Sequence, residues 1–453
     1  MKNAFTALLL CLGISVLGQC FQKTSAGLNH NLAIKVDGTL WAWGSNESGK
    51  IGDGTTTNRA VPIQIGNATN WQSVATGTNH SLAIKSDGTL WAWGENAYSQ
   101  LGDDTTIDKY VPTQIGTQTN WRNVSAGYSF TIAVQEDGSL WAWGRNLYGQ
   151  FGSGTIIYRK IPTRSGTDSD WETVSAGNDH TIALKTDGSL WAWGNNTNFQ
   201  LGNNTNVVQY SPVRIGIANA WSSISAGRNH NFAIATNGTL WGWGENSSSQ
   251  LGDGTQSTKT IPTMISMQTW RSISAGSAHS VGIKTNGTLW AWGVNEVGQV
   301  GDGTTVYRNI QTQIGTETNW QHIDAGYDHS FGEKSDGTFW VWGSNEFGQL
   351  GNGSNQHINS PTEVACPVPL NNTDFSMGDK LRIYPNPFND ILNISLDILI
   401  DRISVHNVLG QEVMSKSVNA TEGFMDVSNL HSGTYVLKIN TENQSKTLKI
   451  IKN

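Results

Sequence analysis

Histidine is the side chain best suited to act as a base, proton carrier or metal ligand at neutral pH. Six of the ten histidines in this chain recur at one spacing: His30, His80, His180, His230, His279 and His329. Phe130 fills the same place in one copy. A position that accepts Phe requires neither a proton nor a ligand, so a structural role is expected, such as bonding a neighbouring backbone carbonyl. His322 and His357 lie off the spacing, and no acid or nucleophile is recognisably paired with either. Asp53, Asp253 and Asp302, with Asn203 and Asn352 as variants, open Asp-Gly-Thr-like segments that suggest calcium. Calcium takes clustered oxygen ligands, and one Asp per copy fits loop turns better. Neither a phosphate-cradling Gly-rich loop, a zinc spacing nor a nucleophile elbow is present, so no catalytic residue, metal or cofactor is assigned.

Two other groups stand out. Glu333 replaces the apolar residue found at Ile34, Ile84, Leu184, Ile234 and Ile283. A carboxylate there is costly unless paired or exposed, so it is expected to face water or a local cation. Cys11 lies in an apolar leader, which leaves Cys20 and Cys366 for the exported chain. An even number in an oxidising compartment suggests a disulfide.

These residues are positioned by a repeat. Trp-x-Trp-Gly occurs seven times, its first Trp being Trp41, Trp91, Trp141, Trp191, Trp241, Trp290 and Trp340, in steps of 50, 50, 50, 50, 49 and 50 residues. All 20 tryptophans belong to this system; the other six, Trp71, Trp121, Trp171, Trp221, Trp270 and Trp320, mark junctions between copies. A fixed period of this length means one supersecondary unit copied and stacked. Within a copy the apolar residues alternate, as in Leu82 with Ile84 and Trp91 with Trp93, which reads as β-strand. Asp87-Gly88 and its equivalents are hairpin signals. Four short strands per copy fit either a capped solenoid or a closed propeller. The first copy opens with its own junction at Phe21, aligned with Trp71, and the last stops after Val364. The two ends are complementary halves of one connection, which favours a closed ring. Cys20 aligns with Asn70 and Cys366 with Asn67, both on that connection, so a disulfide there would staple the ring across about 345 residues, worth roughly 5 kcal/mol at most.

Segments such as residues 175–196 (SAGNDHTIALKTDGSLWAWGNN) and 343–353 (GSNEFGQLGNG) resemble the repeats of the regulator of chromosome condensation family. The resemblance covers about 340 residues and implies a seven-bladed β-propeller. The expected fold class is all-β: a seven-bladed β-propeller over 19–366, then a small β-sandwich.

The ends carry export signals. Residues 1–18, with Lys2 and the apolar run from Ala4 to Leu17, read as a signal peptide. Residues 367–379 lack the repeat and read as a linker. Residues 380–453 contain no Trp and carry alternating apolar runs. They resemble the C-terminal sorting domain of the type IX secretion system. The matching residues are Tyr384, Pro385, Asn386, Pro387 and Phe388, then Gly410, Gly433, Tyr435, Lys449 and Lys452. The resemblance implies passage across an outer membrane, engagement of secretion machinery, and release or surface attachment once the leader and the module are removed.

Net charge −7 disfavours nucleic acid as a partner, and no further apolar stretch approaches membrane-spanning length. A functional site in a repeat protein should break the repeat. The face formed by the Ala-Gly-x-x-His turns and the Trp-Gly-x-Asn loops varies most, and its expected recognition surface centres on Tyr128, Asp179, Arg228, Tyr327 and Asp328. Tyr and Arg are enriched in binding hot spots. The reading is a non-enzymatic binding protein for an extracellular protein or glycan. A polysaccharide-acting enzyme and a surface-layer protein are the alternatives. Nucleotide exchange on a small GTPase, known for the family, is disfavoured by export and by the even spacing, which leaves no room for an inserted wedge.

Overall fold

The computed structural model describes residues 20–367, 381–385, 388–407, 411–441 and 444–452. The expected signal peptide, nearly all of the linker, and Asn386, Pro387 and Gly410 lie outside the described residues. The chain divides into two compact units after Pro367.

The first unit is a β-propeller of seven four-stranded antiparallel sheets, formed by residues 23–64, 71–114, 121–164, 171–214, 221–266, 270–314 and 320–364. Strands follow chain order within each blade. The first strands line an axial cavity and the fourth form the rim. The fourth strand is a sheet edge, and in six blades it holds a proline (Pro62, Pro112, Pro162, Pro212, Pro262, Pro361), which removes a donor that would invite pairing with another chain.

The Trp-x-Trp pair works through the alternation of the third strand. In the second blade, Trp93 is fully buried against the first blade, and its Nε1 donates to the Lys50 carbonyl at 2.9 Å. Trp91 lies on the other side of the strand and donates to Thr89 Oγ1 at 2.9 Å. Thr89 in turn donates to Asp87 Oδ1 at 2.6 Å, across a hairpin whose Gly88 has φ +76. The motif Asp-Gly-Thr-Leu-Trp is thus one hydrogen-bonded unit. Lys85 closes it, with Nζ 4.7 Å from the Trp71 ring centre and 4.0 Å from that of Trp91.

Seven apolar clusters hold the ring, each shared by two adjacent blades. A buried Trp removes on the order of 200 Å² from water, about 5 kcal/mol by area, so the seams carry the stability. The closing seam differs. Phe21 stands in the place of a junction Trp, stacked on Trp43 at 5.7 Å and edge-on to Phe339 at 5.2 Å. Cys20 and Cys366 are joined beside it, with Cα atoms 5.5 Å apart and a sequence separation of 346. At the rim, each loop before the fourth strand donates a main-chain bond to the next blade's fourth strand, from Gly54 to Tyr110 (2.8 Å) round to Gly353 to Ala60 (2.8 Å), which completes the circle.

The second unit is a five-stranded antiparallel sheet. Its long strand Ile391–His406 pairs through residues 393–395 with Arg382–Tyr384, and through residues 402–406 with Gly433–Thr441. Glu412–Asp426 pairs along both halves, and Gln444–Lys452 follows Gly433–Thr441 at the edge. One core takes Leu392 and Ile394 from one half of the long strand and Ile403 and Val405 from the other. The sheet therefore wraps upon itself as the two layers of a sandwich do.

Candidate functional site

The turns between first and second strands and the loops between third and fourth strands share one end of the propeller, as alternation of antiparallel strands requires. Each loop is braced from within. Asn46 Nδ2 donates to Asp53 Oδ1 (3.1 Å), Thr55 O (3.0 Å) and Thr57 O (3.1 Å), and its Oδ1 accepts from Ile51 N (2.9 Å). Asp53 is itself held by Thr55 and ion-paired with Arg59, and these bonds keep its carboxyl below the usual range even though burial opposes them. Asp103, Asp253 and Asp302 repeat the arrangement with Lys109, Lys259 and Arg308.

The six repeated histidines are buried at the seams. Sequence suggested a backbone carbonyl as partner; the Nε2 of each instead meets a side chain of the next blade, and His279 alone also bonds the Tyr327 main chain. His30 Nε2 meets Ser81 Oγ (3.0 Å), His180 meets Asn231 Oδ1 (2.8 Å), and His329 meets Asn31 Oδ1 across the closure (2.7 Å). That side chain then reaches the carbonyl, as when Ser81 donates to Lys50 O at 2.7 Å. Asn231 Oδ1 can only accept, so His180 carries its proton on Nε2. Burial pushes the ring pKa down to about 3 for His80 and His329 and to about 4 for His180 and His279. They are neutral seam pins. The Gly three residues before each His is required: a Cβ on Gly27 would lie 2.8 Å from Gly77 O and 2.7 Å from the His30 ring.

The sequence-predicted surface residues fall into two groups on this face. Asp179 is nearly buried and bound by Arg145 Nη1 at 2.6 Å and by Asn178 Nδ2 at 3.1 Å. Arg145 in turn lies 5.7 Å from the Tyr128 ring centre and 5.9 Å from those of Tyr98 and Tyr148. Tyr98 and Tyr128 remain 42% and 43% exposed, leaving ring surface available to a partner. In the second group, Arg228 donates to the Tyr327 hydroxyl at 3.0 Å, and Asp328 accepts from Gln299 Nε2 at 3.2 Å. Burial raises the carboxyl pKa of both Asp179 and Asp328, against the pull of Arg145 and Arg228.

Glu333 does not face water. It is 2% exposed in the closing seam, where Oε1 accepts the Phe21 amide at 3.3 Å. A residue that is apolar elsewhere in the repeat is a carboxylate here, where the closing seam sets the Phe21 N–H beside it.

Inside the face lies an axial cavity of about 520 Å³, walled by the first strands and their turns. Its wall is stitched by hydrogen bonds to the next blade's main chain: Ser125 Oγ accepts Ala176 N (3.0 Å), Ser175 accepts Ala226 N (3.0 Å), and Ser225 accepts Ala275 N (3.0 Å). At the closing seam Asp324 does this instead, Oδ2 accepting Ala26 N at 2.9 Å. Sequence reasoning missed Asp324. The signal was present as the one Asp in a position otherwise filled by Ser25, Ala75, Ser125, Ser175, Ser225 and Ser274. Lys50 was missed likewise. It replaces the Gln of the other six loops, is 1% exposed, and donates to Asn79 Oδ1 at 2.8 Å, with burial lowering its pKa to about 8.

In the second unit the residues matched to the sorting signal separate. Tyr384 is exposed, Tyr435 donates from its hydroxyl to His431 O at 3.0 Å, and Lys449 lies opposite Val436 in the edge pair. Lys452 is no free tail: its Nζ turns inward to Asn389 O and to Asp390 Oδ1, the latter at 3.2 Å. Among the described residues no helix is long and apolar enough to cross a membrane.

Solved structures with this architecture include human WBSCR16, at 22% identity over 72% of this chain and 94% of that one (TM-score 0.66). Prp20p from Saccharomyces cerevisiae, studied for its binding to Gsp1p and histones, is 23% identical over 69% and 83% (TM-score 0.61). A structure of Kap60 bound to yeast RCC1 (Prp20) matches at 21% over 84% and 91% (TM-score 0.65). At these identities the likeness is one of fold. Residues 12–222 and 159–383 match the model of the RCC1-like domain, and residues 382–453 match that of the secretion system C-terminal sorting domain. The chain therefore belongs to the RCC1-like domain family and ends in a secretion sorting domain.

Proposed function

We propose that this protein works outside the cell as a non-enzymatic binding module, recognising a protein or glycan with the loop face of its propeller. The sorting domain supports secretion or surface attachment and engagement of a secretion machinery; the leader over 1–18 and removal of the module after export complete the route. The observation that carries the binding reading is the grouping of Tyr98, Tyr128 and Tyr148 around Arg145, with Arg228 on Tyr327. These residues depart from the repeat on one face only. Seam residues recur blade after blade, as packing demands, whereas a face that recognises something must differ around the ring. Fold by itself does not name the ligand.

The test is capture. Immobilised protein is exposed to cell-surface extracts and a polysaccharide panel, in parallel with a variant carrying Tyr128→Ala, Arg228→Ala and Tyr327→Ala. A partner held by the native chain and lost by the variant is expected. A partner held equally by both discards this face, and release of shortened sugars from the panel would replace binding with hydrolysis.

A further inference from the structure

The axial cavity holds one feature that the seam does not need. In five other blades a serine occupies the place of Asp324, and a serine oxygen accepts the next blade's amide just as well, at 3.0 to 3.1 Å. The carboxylate adds a negative charge to a wall otherwise made of Ser, Thr, Ala and Gly below its mouth. Among the described residues no cationic side chain pairs with it. Arg228, at the mouth, is turned to Tyr327. Burial pushes the Asp324 carboxyl up to about 6, so at neutral pH it is ionised at a cost that serine would avoid. Groups kept in an unfavourable state inside a cavity mark functional sites.

The surroundings favour a cation. Five of the seven loops on this face carry a glutamate within three residues of their Trp-Gly: Glu47, Glu95, Glu245, Glu296 and Glu346. Arg145 is neutralised by Asp179. Of the two charged side chains that line the cavity, Arg228 sits at the mouth against Tyr327 and Asp324 lies below it, so the deeper charge is negative. We propose that the axial cavity receives a lysine side chain of a partner protein, whose ammonium pairs with Asp324. Depth sets the shape of the ligand: Asp324 lies on the first strand, below the turn that carries Tyr327, so the charge must arrive on a thin stem. Chemistry separates Lys from Arg. Of the roughly four lone-pair positions of a carboxylate, three are taken by Ala26 N, Ser274 Oγ and Ala325 N. One remaining position suits a point-charge ammonium, whereas a guanidinium fork wants two.

This inference rests on the loop face being the recognition surface. Its test uses the full chain at pH 7.5, titrated with n-butylammonium and with a short lysine-bearing peptide, and compares Asp324→Ser and Asp324→Asn with the native protein. Serine is the repeat's own residue here, so that variant is expected to fold. Saturable binding of both probes, weakened at least tenfold by either substitution and by acetylating the peptide lysine, is the expected result. No saturable binding to the native chain, or binding equal in the variants, overturns the proposal; binding of the free amine without the peptide overturns its assignment to a partner protein. A captured surface partner lost with Tyr128→Ala, Arg228→Ala and Tyr327→Ala but kept by Asp324→Ser would leave the binding face standing and remove the lysine pocket.

Discussion

Arg228 on the fifth blade donates through Nη1 to the Tyr327 hydroxyl of the seventh at 3.0 Å, with its guanidinium carbon 5.9 Å from the centre of the same ring. The sixth blade stands between them, and its turn offers only Ser277 and Ala278 at the matching positions. Small residues there leave the path open. A repeat protein has made a contact that its own repeat does not contain.

That pair is exposed, so its removal should be nearly silent in stability. Tyr327→Phe is expected to shift unfolding by under about 1 kcal/mol, measured by denaturant melts, while weakening capture of a surface partner. A large loss of stability would mean that the pair holds the ring together and is not a recognition element.

Asp324→Ser should stabilise the protein above pH 6 and lose that advantage in acid. The folded pKa of about 6 lies above the ordinary 3.8, so the native state holds the proton more tightly and stability falls as pH rises between the two values. The shift corresponds to about 3 kcal/mol at most; contact with the cavity reduces it, and a gain of 1–3 kcal/mol at pH 8 is the expectation. Melts from pH 8 down to pH 6 check it, with the variant the more stable and the gap beginning to narrow at the lower value.

The seam histidines set the opposite trend. Their folded pKa values lie well below 6.5, so the unfolded chain takes up protons first and stability is lost as pH falls below 6.5. At one unit below, each site costs on the order of 1 kcal/mol and the six together several kcal/mol. Acid unfolding is therefore expected to be steep between pH 6 and pH 5 and to take up several protons, as pH-dependent calorimetry would record. His180→Phe leaves Asn231 Oδ1 without its donor and should cost about 1–3 kcal/mol. Phe130→His, which gives Thr181 Oγ1 a donor, should stay within about 1 kcal/mol of native.

Reduction of the Cys20–Cys366 bond should lower stability without opening the ring. The disulfide model sets the loss at no more than about 5 kcal/mol. The closure keeps Ala26 N on Asp324, Gly353 N on Ala60 O, and the Phe21 cluster. Mass measurement with and without reductant, paired with melts, tests both halves: free thiols in exported native protein would remove the bond, and unfolding on reduction at 25 °C would show that the other contacts are too weak.

Blade number, strand count and hairpins were legible because they are local. Trp-x-Trp alternates within one strand, and Asp-Gly-Thr is a turn whose bonds span two residues. The terminal complementarity of Phe21 and Val364 was legible too, since it needs only alignment of one copy with the next. What the seams do was not. His30 and Ser81 are 51 residues apart, His329 and Asn31 298; a single copy contains neither pair, so sequence reading chose a carbonyl where a side chain stands. Glu333 reads as misplaced until ring closure sets the Phe21 amide beside it. Asp324 was visible as one departure from a serine column, but that column means little until seven first strands face one axis. The sequence alone determined the repeated unit, its tryptophans and its turns, because strand periodicity and turn chemistry act over a few residues. Only the tertiary structure decided which neighbour each polar group meets, because those contacts exist only once each blade is seated against the next and the seventh against the first.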